Sequence, residues 1–171
     1  MRLTVRTVAA LSRLAGIAAA AMVLVAVLVV CQMVVQRYFL HQSSIWQTEF
    51  VTYLLIAATF LGTPYVLLVG GHVRVEALTG RLPPRLAAWS RGVALAVVAA
   101  VAGVVAWAGA SLWWEAWTNG WRSDTVWGVR LWIPYAALPA GFGLTFVQAL
   151  ALLWEHLAGR APPTGAPGDG G

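Results

Sequence analysis

Residues 14–35 read LAGIAAAAMVLVAVLVVCQMVV and carry no charged side chain. A helix needs about 20 apolar residues to cross a hydrocarbon core about 30 Å thick. Three more charge-free stretches follow: between Glu49 and Arg74, between Arg91 and Glu115, and between Arg130 and Glu155. Each stretch is about 23 residues long, so the sequence predicts an all-α membrane protein with four transmembrane helices.

The composition leaves room for one membrane domain. Of the 171 residues, 60% are hydrophobic and 10% are charged, whereas about 25% are charged in typical soluble domains. We predict a four-helix transmembrane domain over residues 14–155, with helices at about 14–35, 49–69, 91–114 and 131–153. Gly62, followed by Pro64, predicts a bend in the second helix. We expect a basic amphipathic N-terminal segment at 1–13 and a disordered C-terminal tail at 156–171.

The N-terminal segment has two interpretations, and both stay open. Arg2, Arg6 and Arg13 fall on one side of a helical wheel, as in an amphipathic helix that lies on the membrane surface. The other interpretation is an ordinary basic flank of the first span. A cleaved signal peptide is disfavoured, because the apolar stretch exceeds the roughly 7–15 residues of a signal h-region and no clear small-residue cleavage site follows.

The arginines predict the topology. The net charge is +5, and there is no Lys. Most of the arginines lie in the two tails or in the loop between the second and third spans: Arg2, Arg6, Arg13, Arg74, Arg81, Arg85, Arg91 and Arg160. Cytoplasmic loops carry an excess of basic residues, so both termini are expected in the cytoplasm, an N-in/C-in arrangement. The arginines flank hydrophobic runs in contact with a lipid bilayer, and no nucleic acid partner is expected.

Few residues are suited to carry chemistry. The single cysteine, Cys31, excludes an intrachain disulfide, a Cys-based zinc site and a CxxC redox pair. His72 and Glu76 would share a helix face, but two ligands are too few for a structural zinc site, and the two preceding glycines disfavour a regular helix. We expect this loop, with Arg74, to make cytoplasmic docking contacts, with no metal, cofactor or catalysis.

Glu49 lies at the start of the second predicted span, three residues after Trp46. Three explanations stay open: capping of the first helical turn, an ion pair across helices or subunits with Arg37 as a partner in this chain, and a proton-carrying role. No acid lies near the middle of any span, where pumps and carriers place ionisable groups. The chain is therefore expected to depend on a partner.

Short motifs in a fixed order resemble a known family. They are Arg37-Tyr38-Phe39, Trp46-x-x-Glu49, Phe60-Leu61-Gly62, His72-Val73-Arg74-Val75-Glu76, Leu82-Pro83, Leu131-Trp132-Ile133-Pro134 and Leu138-Pro139-Ala140-Gly141. Over roughly residues 30–150 the chain resembles the small permease subunit of tripartite ATP-independent periplasmic (TRAP) transporters, the DctQ type. One departure is Glu76, where an Asp is commoner.

The resemblance implies a multi-pass scaffold subunit in a bacterial inner membrane. Such a subunit pairs with a large permease subunit that carries the substrate and sodium sites, and a periplasmic binding protein delivers an organic acid. The candidate interface or structural residues are Arg37, Trp46, Glu49, Gly62, His72, Arg74 and Glu76. The alternative is a stand-alone four-helix carrier or channel that acts as a homo-oligomer. A membrane enzyme is disfavoured, because the sequence shows no nucleophile–base pair.

The predicted topology leads to a direct test. An alkaline phosphatase fused after Gly80 is expected to be inactive, because the reporter folds only outside the cytoplasm. A matched fusion after Asn119, in the next loop, is expected to be active. An active Gly80 fusion would contradict the N-in/C-in arrangement.

Overall fold

The computed structural model describes residues 2–39, 45–69, 84–125 and 127–158. Its helices are α1 (Arg2–Phe39), α2 (Ile45–Leu68), α3 (Pro84–Thr118), α4 (Trp132–Tyr135) and α5 (Ala137–Leu157). Four segments are long and apolar enough to span a membrane: Thr7–Phe39, Trp46–Leu68, Ala88–Thr118 and Trp132–Leu157. The prediction of an all-α protein with four spanning helices is confirmed. The N-in/C-in orientation stays a prediction.

The helix ends refine the predicted boundaries. Helix α1 has 38 residues and is about 57 Å long, so the basic N-terminal segment continues into the first span without a break. Helix α3 begins at Pro84, before the predicted start of the third span at residue 91; proline suits the first helical turn, where its missing N–H costs nothing. Helix α2 begins at Ile45, before the predicted start at residue 49.

The four long helices lie side by side in the order α1, α2, α5, α3. The most extensive contacts join α1 to α2 and α3 to α5. The two pairs meet where α2 packs on α5. Helix α1 also touches α5, but α1 and α3 lie at opposite edges of the arrangement. The chain is therefore two helical hairpins joined along one seam, with broad outer faces.

The seam between α2 and α5 depends on a proline and a glycine. Pro64 lies inside α2 and has no N–H to donate to the carbonyl of Phe60, one turn earlier. Gly141 of α5 packs directly on that carbonyl, so close that a Cβ at this position would overlap it. The rings of Phe60 and Phe142 extend the contact, with centroids 5.7 Å apart.

Small residues bring α1 close to α2. Gly16 faces the ring of Tyr65, which fills the space that a side chain at Gly16 would need. One turn further along α1, Ala19 lies against Gly62, where an added Cβ would be 3.6 Å from the Ala19 methyl group. Close approach of this kind is the usual route to helix packing in lipid, where apolar surface alone gives no preference for another helix.

Two polar contacts hold α1 near its ends. The buried Ser12 hydroxyl donates to Gln148 Oε1 of α5 over 3.1 Å. Near the other end of α1, Gln47 Nε2 of α2 donates to Gln36 Oε1 over 2.9 Å. Such bonds average only about 0.6 kcal/mol in membranes, so they fix the position of α1 more than they stabilise the fold.

Helix α3 completes the core from the other side. Leu67, Ala99 and Ala149 form a buried cluster where α2, α3 and α5 meet. At the end of α5, the ring Nε2 of His156 donates to the carbonyl of Ala88 in α3 over 2.9 Å. Cys31, in contrast, is exposed on α1. Because its thiol is exposed, Cys31 adds little to the packing between the helices of this chain.

We predict that the α2–α5 seam is sensitive to a single methyl group. Replacing Gly141 with Ala is expected to destabilise the chain by about 1–3 kcal/mol, because the backbone of Phe60 has little freedom to move away. The matched control is Gly143→Ala on the same helix, where nothing lies within 4 Å of the added carbon. Chemical unfolding of the detergent-solubilised chain measures both variants. Equal stabilities would contradict the close seam.

Candidate functional site around Glu49

Loop three, residues 119–131, folds into a short hairpin that begins after α3. The amide of Ser123 donates to the carbonyl of Val129 over 2.8 Å, and the amide of Leu131 donates to Trp121 over 3.0 Å. Gly120 and Gly128 have φ values of 60° and 57°, a left-handed conformation that glycine adopts without strain. The hairpin places the hydroxyl side chains of Ser123 and Thr125 against the start of α2.

Glu49 is bound by three hydroxyl groups. Tyr53, one turn along α2, donates its phenol to Glu49 Oε1 over 2.7 Å. Ser123 and Thr125 donate to the two carboxylate oxygens from the hairpin. We call this set, Glu49 with Tyr53, Ser123 and Thr125, the hydroxyl cluster. Hydrogen bonds to an ionised carboxylate are stronger than those between neutral groups, so the cluster is well suited to fasten loop three to α2.

The structure changes two explanations of Glu49. Since α2 begins at Ile45, Glu49 lies in the second turn rather than the first, and capping of the first turn does not explain it. Within the described residues no ion pair joins Arg37 to Glu49, and the Arg37 side chain is exposed at the end of α1. The carboxylate is occupied by hydroxyl groups instead.

Trp46 forms a second attachment for the hairpin. Its ring centroid lies 6.2 Å from that of Trp127, which also lies 6.3 Å from Phe50 in an edge-on arrangement. Trp127 therefore sits against two aromatic side chains one turn apart on α2. Trp46 remains partly exposed, which suits an anchor at the membrane surface, where its N–H reaches water.

The other candidate residues are divided between the α1–α2 contact and a part of the chain outside the described residues. Gly62 lies at the contact with α1, and α2 runs through Pro64 as one helix. His72, Arg74 and Glu76 fall outside the described residues, and their roles stay predictions. Among the residues that are described, no group of three or more His, Cys, Asp or Glu side chains is placed to hold a metal ion.

Sequence reasoning missed Tyr53, Ser123 and Thr125. One signal was present: Ser123 and Thr125 alternate with other residues, as side chains on one face of a strand do, and glycines stand near both ends of the segment. Nothing local to the loop, however, indicates that its partner is an acid more than 70 residues earlier in the chain.

The sequence model of the family described as "Tripartite ATP-independent periplasmic transporters, DctQ component" matches residues 26–159. The chain belongs to this family. The match confirms the resemblance seen in the motifs and covers all four spans apart from the first part of α1. No curated protein matches the chain at a significant level. This DctQ-family chain is thus a multi-pass membrane protein of the kind that serves as the small component of a TRAP transporter.

The DctQ assignment gives the hydroxyl cluster its setting. Proteins of this family work within transporters that also contain a large permease and a binding protein. In this DctQ chain the cluster joins the loop-three hairpin to α2. Its geometry therefore supports a structural role at one end of the helices.

We predict that removing the Glu49 carboxylate releases the hairpin. In Glu49→Ala, amides of residues 121–131 are expected to exchange with deuterium several-fold faster, since Ser123 and Thr125 lose their acceptor. The double variant Ser123→Ala with Thr125→Val is expected to do the same. Hydrogen–deuterium exchange with mass spectrometry, on the chain in lipid nanodiscs, measures the effect.

The control for this prediction is Glu115→Ala. Glu115 is an exposed acid near the C-terminal end of α3, where the hairpin begins. Its backbone carbonyl accepts hydrogen bonds from Thr118 and Asn119. Its removal is expected to leave exchange in 121–131 unchanged. If Glu49→Ala and Glu115→Ala behave alike, the cluster does not hold the hairpin.

Proposed function

We propose that this chain is the fixed scaffold subunit of a sodium-driven TRAP transporter that imports an organic acid. In this proposal it lies in the bacterial inner membrane with both termini in the cytoplasm. A large permease subunit carries the substrate and sodium sites, and a periplasmic binding protein delivers the substrate. The single observation that carries the proposal is the family match over residues 26–159.

The polar groups of the spans support a scaffold role. Ser12 bonds to Gln148, and Gln47 bonds to Gln36, so these groups are used between helices. Thr59 donates its hydroxyl back to the carbonyl one turn earlier. No Asp, Glu, Lys or Arg lies in the central part of any of the four spans. Transporters that bind ions or charged substrates place such groups near the midplane, so substrate handling is better assigned to another chain.

The outer surface of the helices also supports dependence on a partner. Between 11% and 28% of the residues in each spanning window are buried within the chain. Helices α1 and α3 each pack mainly on one neighbour, and many of their large apolar side chains are exposed. Lipid covers such surface without difficulty, and so does the flank of a larger membrane subunit. This exposed apolar surface is consistent with a chain that packs against another membrane protein.

The candidate interface residues receive roles within this proposal. Arg37, Trp46 and Glu49 lie at the end of the helices that the topology assigns to the periplasm. Arg37 is exposed and is available to an acidic side chain of the permease. Glu49 acts indirectly, by holding loop three in place. His72, Arg74 and Glu76 are proposed to shape the cytoplasmic loop that meets the partner.

Reconstitution in proteoliposomes tests the proposal. The chain alone is expected to transport none of the organic acids offered, with or without a sodium gradient. When the chain is reconstituted with its large permease and binding protein, uptake is expected to depend on sodium and on all three proteins. The chain is also expected to co-purify with the permease at equal stoichiometry.

Two results would contradict the scaffold role. Transport by the chain alone would show that it is a stand-alone carrier or channel acting as a homo-oligomer. Full transport by the permease and binding protein without this chain would show that it is not a required subunit.

A further inference from the structure

The outward face of the loop-three hairpin carries two arginines opposite each other. Arg122 and Arg130 form an antiparallel bridge. The flanking hydrogen bonds run from Ser123 to Val129 and from Leu131 to Trp121, so the arginines themselves form a non-hydrogen-bonded pair. In such a pair the two Cα atoms are about 4.5 Å apart, and both side chains leave the same face of the hairpin.

The hydroxyl cluster determines which way this face points. Ser123 and Thr125 direct their side chains at Glu49, toward α2. Successive side chains along an extended strand point to opposite sides, so Arg122 points away from the helices. Arg122 and Arg130 are both exposed. The contact between Glu49 and the hairpin thus presents two guanidinium groups side by side to the surroundings.

This pair of charges has no acidic partner within the part of the chain that the structure describes. Asp124 and Glu115 are the nearest acids in the sequence, and neither forms an ion pair with Arg122 or Arg130 among the described residues. Like charges directly opposite each other on a hairpin are destabilising. The arrangement is therefore suited to an anion from outside the chain.

The surroundings of the pair identify the level at which the anion lies. Trp121 precedes Arg122, and Trp132 follows Arg130 by two positions. The ring of Trp132 packs edge-on against Trp117, with centroids 4.6 Å apart. Tryptophans concentrate at the headgroup level of a bilayer, where the ring is half apolar and the N–H stays wet. The tryptophans around the pair favour a position of the hairpin at this headgroup level.

We propose that Arg122 and Arg130 bind the phosphate of an anionic lipid headgroup. A guanidinium donates two parallel hydrogen bonds to phosphate oxygens, and two guanidiniums together surround one phosphodiester. Exposed apolar side chains next to the hairpin, Trp117 and Ile133, provide a surface for the acyl chains. Tryptophans flanking both arginines favour a lipid over the acidic side chain of a partner protein. This site is separate from the scaffold role and does not depend on it.

Native mass spectrometry of the full chain in detergent tests the proposal. The probes are phosphatidylglycerol and phosphatidylcholine with identical acyl chains. The wild-type chain is expected to bind phosphatidylglycerol in preference. In the double variant Arg122→Gln with Arg130→Gln, this preference is expected to fall by about tenfold, since each basic side chain near an anionic headgroup contributes to binding.

Three controls separate the site from general effects. Arg37→Gln removes another exposed arginine, at the end of α1, and is expected to change the preference less than about twofold. Arg122→Lys with Arg130→Lys keeps the charges and is expected to retain most of the preference. Deuterium exchange over residues 121–131 reports whether the hairpin persists in the double Gln variant.

Several results would overturn the proposal. One is equal binding of the two lipids by the wild-type chain, and another is an equal loss in Arg37→Gln. Displacement of the lipid by millimolar inorganic phosphate would indicate a site for free phosphate. A last contradicting result concerns the double Gln variant. If it binds lipid as the wild type does but its reconstituted transporter binds the periplasmic binding protein more weakly, the arginines contact an acidic protein surface instead.

Discussion

The close approach of Gly141 to the carbonyl of Phe60 is the contact on which the arrangement of helices depends. Within a bilayer, apolar surface gives no reason for one helix to prefer another over lipid, so close backbone packing has to supply it. Pro64 frees the Phe60 carbonyl from its usual helical donor, and the missing side chain of Gly141 lets α5 lie on it. The α1–α2 and α3–α5 hairpins meet along this line, and α1 and α3 remain at the edges.

At one end of this seam the chain uses an acid to hold a loop. Glu49 accepts hydrogen bonds from its own helix and from the hairpin between α3 and α4, and Trp127 packs on the aromatic side chains beside it. The hairpin then turns Arg122 and Arg130 outward. A residue that first suggests ion pairing or proton transfer thus serves to position other groups. Gln36, Gln47 and Gln148 likewise form hydrogen bonds between neighbouring helices.

The sequence was sufficient for the spans and the family but not for the contacts between them. Charge-free stretches report directly on the cost of placing charges in lipid, and Pro84 marks a helix start through its own backbone chemistry. The second helix was predicted to start at about residue 49, but α2 begins at Ile45. The prediction used the charge-free stretch after Glu49, and the polar residues before it do not interrupt the helix. The partners of Glu49 were missed because they are 74 and 76 residues away, and their approach follows from packing that no local pattern encodes.

The proposed scaffold role rests on the family match, on the exposed outer surfaces of the helices, and on the lack of charges in the central part of the spans. Electron cryo-microscopy of the chain with its large permease, in nanodiscs and with the transported acid bound, is the most direct measurement. The expected map keeps the order α1, α2, α5, α3, covers one open face with permease helices, and shows the substrate wholly within the permease. Substrate density enclosed by two copies of this chain would contradict the scaffold role.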